Sequence, residues 1–176
     1  MEVFDLYDEN RRPTGETMVR FTPTPEDRYR LVVHVCMFNS KGEMLIQQRQ
    51  PFKKTWANMW DLTVGGCVVS GETSREGALR EVWEELGLEA DMTSAPAFSI
   101  TFHGGFDDYY ILQKDIPLSI LHLQAEEVQS VKWASLAEVL AMIDSGEFIP
   151  YHKGFLEFLF HHPAGSENGV SIYSQA

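Results

Sequence analysis

Glu81, Glu84 and Glu85 are three carboxylates spaced i, i+3 and i+4, which on a helix places them on one face. Like charges held so close repel, and the nearest compensating side chain in the sequence is Arg80. A hard divalent cation such as Mg²⁺ takes oxygen ligands from a few carboxylates and from substrate phosphates. It would relieve the repulsion and create a diphosphate site. For three glutamates alone, a solvated acidic face is the plainer account. The residues before them favour the chemical reading. Gly65 and Gly66 supply backbone able to turn tightly and approach a ligand, and Glu72 is placed to pair with Arg80 and hold the loop onto the helix.

These side chains need a helix, and the sequence specifies both of its ends. Thr73 followed three residues later by Glu76 is a capping-box start, and Gly87 is a favoured left-handed cap. At about 100° per residue, Leu79, Val82, Trp83 and Leu86 gather opposite the glutamates. The helix is therefore expected to bury those four and turn its carboxylates away from the packing.

From Gly66 to Leu88 the pattern reads Gly66, five residues, Glu72, seven residues, Arg80-Glu81, Val82, Trp83, Glu84-Glu85, Leu86, Gly87, Leu88. Seven prescribed positions at typical frequencies of about 6% give a chance match on the order of 10⁻⁸ per starting position. The segment resembles the Nudix box of the Nudix hydrolases without departure. The resemblance implies an α/β/α sandwich around a mixed β-sheet, and Mg²⁺- or Mn²⁺-dependent hydrolysis of a diphosphate bond in a nucleoside diphosphate derivative. It implies catalytic roles for Glu81, Glu84, Arg80 and Glu72, and one to three ions held by Glu81, Glu84, Glu85 and the carbonyl beside Gly65. Some members add a carboxylate six residues before a tryptophan, which maps to Glu127 before Trp133. Family members differ over the general base. Glu81 is the first choice, with Glu127, Glu126 and Asp108 as alternatives that are otherwise solvated loop acids. His103 beside Gly104-Gly105 is a further candidate, although a surface histidine is the plainer account.

Length and composition set the frame. With 176 residues, 44% of them hydrophobic, the chain suits one core over 1–162, and the Gly-, Ser- and Asn-rich stretch 163–176 is expected to be a loosely held tail. A net charge of −12 and a pI near 4.8 argue against general nucleic-acid binding, so a small-molecule polyanion must meet local cations. Cys36 and Cys67 have no CxxC or ligand spacing, and a disulfide framework is not expected. No basic start leads into an apolar core and no apolar run reaches membrane-spanning length, so no membrane association and a cytoplasmic location are the default. The sequence is silent on oligomeric state, for which an isologous homodimer is the commonest arrangement.

Along the chain, alternation over 2–7 and 16–21 around DENRRPTG predicts an N-terminal β-hairpin within about 1–22. Strands are expected at 30–38 and 43–48 around NSKG, at 60–69, and near 97–102, 109–114 and 128–133. Helices are expected at 135–144 and 151–160. His34 alternates into an apolar strand and reads as structural, while His161 and His162 carry no ligand pattern.

Between these elements, RQPFKKTWANMW at 49–60 combines cations with aromatics. Arg49, Lys53 and Trp56 are the candidates for substrate contact, against the plain alternative of a connector.

The hairpin and the run FNSKGEMLIQQRQPFKKTWANMWDLTVGG also resemble isopentenyl diphosphate isomerase and its relatives, which share the fold. That resemblance implies a catalytic cysteine, an acidic residue and a histidine-rich metal site for proton transfer across an allylic diphosphate. Gly65 holds the cysteine's place, while Cys67 and Arg30 hold those of two histidines. Cys67 lies two residues from Gly65, too far to substitute on a strand whose faces alternate. The isomerases carry a degraded box and this one is intact, so a hydrolase with isomerase-like flanks is the preferred reading. A Nudix-fold module that binds a nucleotide without catalysis would be marked by lost carboxylates, and none is missing.

Overall fold

The strand Arg30–Phe38 (β3) shows why the molecule is layered. Alternation sends Leu31, Val33, Val35 and Met37 to one face and Cys36 and Phe38 to the other, and both sets are buried, so helices must cover both sides. The helix Ser74–Leu86 (α1) covers the first face with Ala78, Val82 and Leu86. Leu136–Ser145 (α2) and Lys153–His161 (α3) cover the second with Val139, Met142, Leu156 and Leu159. The computed structural model describes residues 2–92 and 95–162. The tail expected at 163–176 lies outside the described residues.

In chain order the remaining strands are Val3–Tyr7 (β1), Pro13–Val19 (β2), Met44–Arg49 (β4), Trp60–Asp61 (β5), Val64–Cys67 (β6), Phe98–Phe102 (β7), Gly105–Gln113 (β8) and Val128–Ala134 (β9). The main sheet runs β5-β4-β3-β8-β7, with β6 beside β3 and β9 beside β4. Among the described strand pairs only β3 and β8 run parallel, so the sheet is mixed, as expected. β3 and β4 pair only at Phe38 and Met44, beside their turn. Beyond it they separate, and β6 takes the place next to β3.

One expected strand divides. The stretch 60–69 is two short strands, because Thr63 is fully buried and makes side-chain bonds where a ladder would run. Its Oγ1 accepts from the Met37 amide at 2.9 Å and donates to the Leu45 carbonyl. These bonds carry the chain from β5 beside β4 to β6 beside β3. The helices begin and end within two residues of expectation, and α1 has both predicted caps. Thr73 and Glu76 form the capping box, and Gly87 has φ 65° and ψ 24°. No helix among the described residues is long and apolar enough to cross a membrane.

The hairpin of β1 and β2 is a separate two-stranded sheet that buries Phe4, Leu6 and Met18 against Cys67 and Val69. Two strands alone are marginal in water, so this docking holds it in place. Its turn is tied down at Arg11, which bonds the fully buried Asp108 and also donates to Ser99 Oγ at 3.1 Å. Asp108 further accepts from Ser74 at the start of α1 and from Ser99 on β7. One carboxylate thus joins the hairpin, α1 and the sheet. Removing the guanidinium leaves a buried charge without a cation, so Arg11→Ala is expected to destabilise the fold by about 3 kcal/mol. Urea unfolding measures this, and a change within about 0.5 kcal/mol would show that the tether is idle.

Candidate active site

The glutamate-bearing helix packs on β6 at its two glycines. Gly66 faces α1, and a Cβ there would overlap the Glu81 carboxylate. Gly65 faces the other way, where a Cβ would lie 2.7 Å from His34 Cδ2 and 2.8 Å from its Nε2. Adjacent glycines therefore let a carboxylate and an imidazole close on the same strand from opposite sides.

The helix is rotated from the expected orientation. Its buried residues are Gly77, Ala78, Val82, Glu85 and Leu86, while Trp83, expected to face inward, is 57% exposed. The small pair Gly77-Ala78 recentres the buried stripe near Val82, and at about 100° per residue Glu85 then falls inside its margin and Trp83 outside it. Glu85 is only 4% exposed.

Arg80 organises the polar side. Its guanidinium bonds Glu72 through Nε at 2.8 Å and Nη2 at 3.2 Å, and Nη1 donates to Glu81 and Glu84, each at 2.9 Å. Nη2 also donates to the Cys67 carbonyl at 3.0 Å. The expected pairing of Glu72 with Arg80 is present. Because the Val68 amide donates to β3 while the Cys67 carbonyl turns to Arg80, strand alternation turns the Gly65 carbonyl to the same outer edge of β6.

Burial dominates the titration of Glu81 and Glu85. It pushes Glu81 up to about 7, against the pull of Arg80 and with repulsion from Glu84 and Glu2. It holds Glu85 well above the usual carboxylate range, aided by the charge of Glu81 and opposed by the bond from Gln47 Nε2 at 2.9 Å. The other end of that amide, Gln47 Oε1, is buried and has no partner among the described residues.

A cavity of about 120 Å³ joins Gly65, Gly66, Cys67, Arg80 and the three helix glutamates to Glu2, Arg20, Arg49, Lys53, Gln124 and Glu127. Most of the expected site residues therefore meet: Arg49, Lys53, Glu127 and the box residues share one cavity, with Glu72 behind Arg80. Glu127 is bonded by Lys53, which makes it both a cavity acid and the anchor of the 50–58 loop. Trp56 is not in the lining. Bonds from the Lys53 and Asn58 amides to the Gln50 carbonyl close the loop at its base and carry Trp56 to the exposed outer part.

Three base candidates fall outside the lining. Asp108 is consumed by its structural bonds, Glu126 is exposed, and His103 is exposed in the turn before Gly104. Sequence reasoning missed Glu2, Arg20, Gln47 and Gln124. Glu2 and Arg20 pair at 2.6 Å at the end of the hairpin register, where Arg20 also lies 5.1 Å from the Phe21 ring and Lys54 4.5 Å from it. Opposite charges at the two hairpin ends were visible in the sequence, but their placement over β6 was not.

The carboxylates can receive a divalent cation by their chemistry. They are hard oxygen donors, two of them are poorly compensated, and a buried amide oxygen without a partner stands beside Glu85. Among the described residues no three His, Cys, Asp or Glu groups already converge as ligands. Arg80 and Gln47 hold the acids instead.

Comparison with known proteins gives a consistent picture. Residues 28–153 match the family model described as the NUDIX domain. An uncharacterized Nudix hydrolase of Listeria monocytogenes is 48% identical over 162 residues, covering 92% of this chain and 95% of the relative. An isopentenyl-diphosphate Delta-isomerase of Salmonella heidelberg is 28% identical over 142 residues, covering 76% of this chain and 77% of the isomerase. A crystal structure of a Deinococcus radiodurans protein superposes with a TM-score of 0.74 at 29% identity, covering 89% of this chain and 98% of that one.

The raised acids make stability pH-dependent in a definite direction. The folded protein holds these protons more tightly than the unfolded chain, so the contribution is complete below about pH 4.5; that of Glu81 is lost as pH rises through about 7, and that of Glu85 as pH rises through its own raised value. Metal-free protein should therefore melt lower at pH 8 than at pH 5.5, as far as these acids govern it. Glu85→Gln, whose amide can donate to Gln47 Oε1, should stabilise it at pH 8 by on the order of 1 kcal/mol. Thermal melts in chelator read both effects, and a destabilised Glu85→Gln variant at pH 8 would contradict the assignment.

Proposed function

Because the chain belongs to the Nudix hydrolase family, we propose that it hydrolyses the diphosphate bond of a nucleoside diphosphate derivative with Mg²⁺ or Mn²⁺ as its ion. Nudix hydrolases generally use divalent cations and act on small molecules. The observation that carries the reading here is Glu81, a carboxylate pressed against Gly66, raised to about 7 by burial, inside a cavity also lined by four cations.

The lining has five carboxylates, Glu2, Glu81, Glu84, Glu85 and Glu127, against the four cations Arg20, Arg49, Lys53 and Arg80. With all five ionised a diphosphate would meet excess negative charge, and a divalent ion would both favour ionisation of Glu81 and Glu85 and reverse that balance. Glu81, Glu84, Glu85 and the Gly65 carbonyl would hold it, with Glu127 as a further oxygen donor once Lys53 turns to a phosphate. Bound there, the ion supplies charge neutralisation of the phosphates and a lowered pKa for water.

The protein's own groups then have separable roles. Arg20, Arg49 and Lys53 bind phosphate oxygens, exchanging Glu2, Asp61 and Glu127 for the substrate. Glu81, a carboxylate facing the cavity, accepts the proton of the attacking water. Water adds to one phosphorus, the bond from that phosphorus to the bridging oxygen breaks, and two phosphate products leave. Glu72 is a positioning residue that holds Arg80 in place after Glu81 and Glu84 release it.

Isomerase chemistry is disfavoured at Gly65, since a cysteine side chain there would occupy the space of the His34 ring. The deciding experiment measures phosphate or phosphomonoester release from nucleoside di- and triphosphates, nucleotide sugars, dinucleoside polyphosphates and prenyl diphosphates. Glu84→Gln and Glu85→Gln should each lower kcat by at least about 100-fold, and excess chelator should abolish turnover. Undiminished rates in either variant or in chelator would refute the metal assignment. Double-bond migration in isopentenyl diphosphate without phosphate release would overturn hydrolysis itself.

A further inference from the structure

The face of β6 away from α1 carries polar groups that the hydrolytic roles leave unused. Gly65, His34, Tyr109 and Phe98 are in register across β6, β3, β8 and β7. The three rings form a stack, with centroids 5.0 Å apart from His34 to Tyr109 and 4.8 Å from Tyr109 to Phe98. At the head of the stack the imidazole leans over Gly65, where no side chain resists it. Its Nδ1 is bonded to Asp107 Oδ1 at 2.7 Å, and Tyr109 Oη donates to Asp107 Oδ2 at 2.9 Å, so the ring is fixed from below and from one side. Its Nε2 has no partner among the described residues, and 15% of the side chain remains exposed.

A second polar pair stands nearby. Asp61 accepts from Tyr151 Oη at 2.8 Å and faces Arg49 Nη1 at 3.8 Å. Arg49 and Gly65 both line the cavity on the glutamate side. Packing alone gives no reason for this cluster, because the same face is otherwise built from Cys36, Phe38, Met44, Ile46 and Leu62. Among the described residues β6 pairs only with β3, so its outer edge is open to a ligand passing from one face to the other.

We propose that the substrate crosses the open edge of β6, with its diphosphate on the Gly66 and Glu81 side and a nucleoside on the Gly65 side, where His34 Nε2 hydrogen-bonds the base or ribose. This rests on the hydrolase reading and assigns the side chain that selects the nucleoside. A prenyl chain would leave His34 Nε2 without a partner, and a site built to hydrogen-bond its ligand discriminates strongly against an analogue that lacks the partner. Asp107 is a positioning residue acting through His34.

The test uses the full chain with Mg²⁺ and compares kcat/KM for the common ribonucleoside diphosphates with that for geranyl diphosphate. The unmodified protein should favour the best nucleotide by at least about 100-fold. His34→Leu should shrink that ratio at least about 10-fold, chiefly through KM for the nucleotide, and His34→Gln, which keeps a hydrogen-bonding terminus, should recover part of it. Asp107→Asn should shift the ratio in the same direction. Circular dichroism establishes folding, and if His34→Leu does not fold, the ratio in His34→Gln decides, with an unchanged ratio counting against the proposal. Equal losses on both substrates, or a preference for geranyl diphosphate, would overturn the assignment of His34 while leaving hydrolysis intact. Absence of Mg²⁺-dependent turnover on every diphosphate would overturn the hydrolase reading and this inference together.

Discussion

The arrangement depends on the Arg80 guanidinium. It binds the loop through Glu72, the helix through Glu81 and Glu84, and β6 through the Cys67 carbonyl. No other described side chain hydrogen-bonds to all three segments that build the cavity floor. Its planar fork with several donors matches this task in a way that a lysine ammonium could not. Arg80 also pulls down the proton affinity of Glu81, against burial and the repulsion of Glu84 and Glu2.

Around that hub, space is allotted by the two glycines of β6. A methyl group at Gly66 would displace Glu81, and one at Gly65 would displace His34. Two β-carbons are absent, and two functional groups occupy their room. An isomerase relative is 28% identical over 142 residues, and at Gly65 here the room a side chain would need is filled by a ring from the neighbouring strand.

The box and most secondary-structure elements were legible because they depend on local rules. The capping box of Thr73 and Glu76, the Gly87 cap and the alternation of β3 each act within a few residues. What escaped depends on contacts between distant segments. Glu85 is buried and Trp83 exposed because Gly77-Ala78 brings α1 close to the sheet, an effect that hydrophobicity alone does not encode. The division of 60–69 turns on Thr63 substituting for ladder bonds, and Arg20 reaches the cavity only because the hairpin docks on Cys67 and Val69. Trp56 looked like a substrate contact by composition, but loop closure at Gln50 carries it away.

One feature of α1 acts beyond its immediate contacts. Glu81, Glu84 and Glu85 occupy the last turns of Ser74–Leu86, and the final turn contains no basic residue. Peptide dipoles summed along a helix leave partial negative charge at its C-terminal end. The glutamates therefore add to the helix's own field rather than cancelling it, an unfavourable placement for acids at the end of an ordinary surface helix. For a cation beside those carboxylates the sign is favourable. The C-terminal turn of α1 would thereby add its backbone's partial charge to the attraction that the side chains exert.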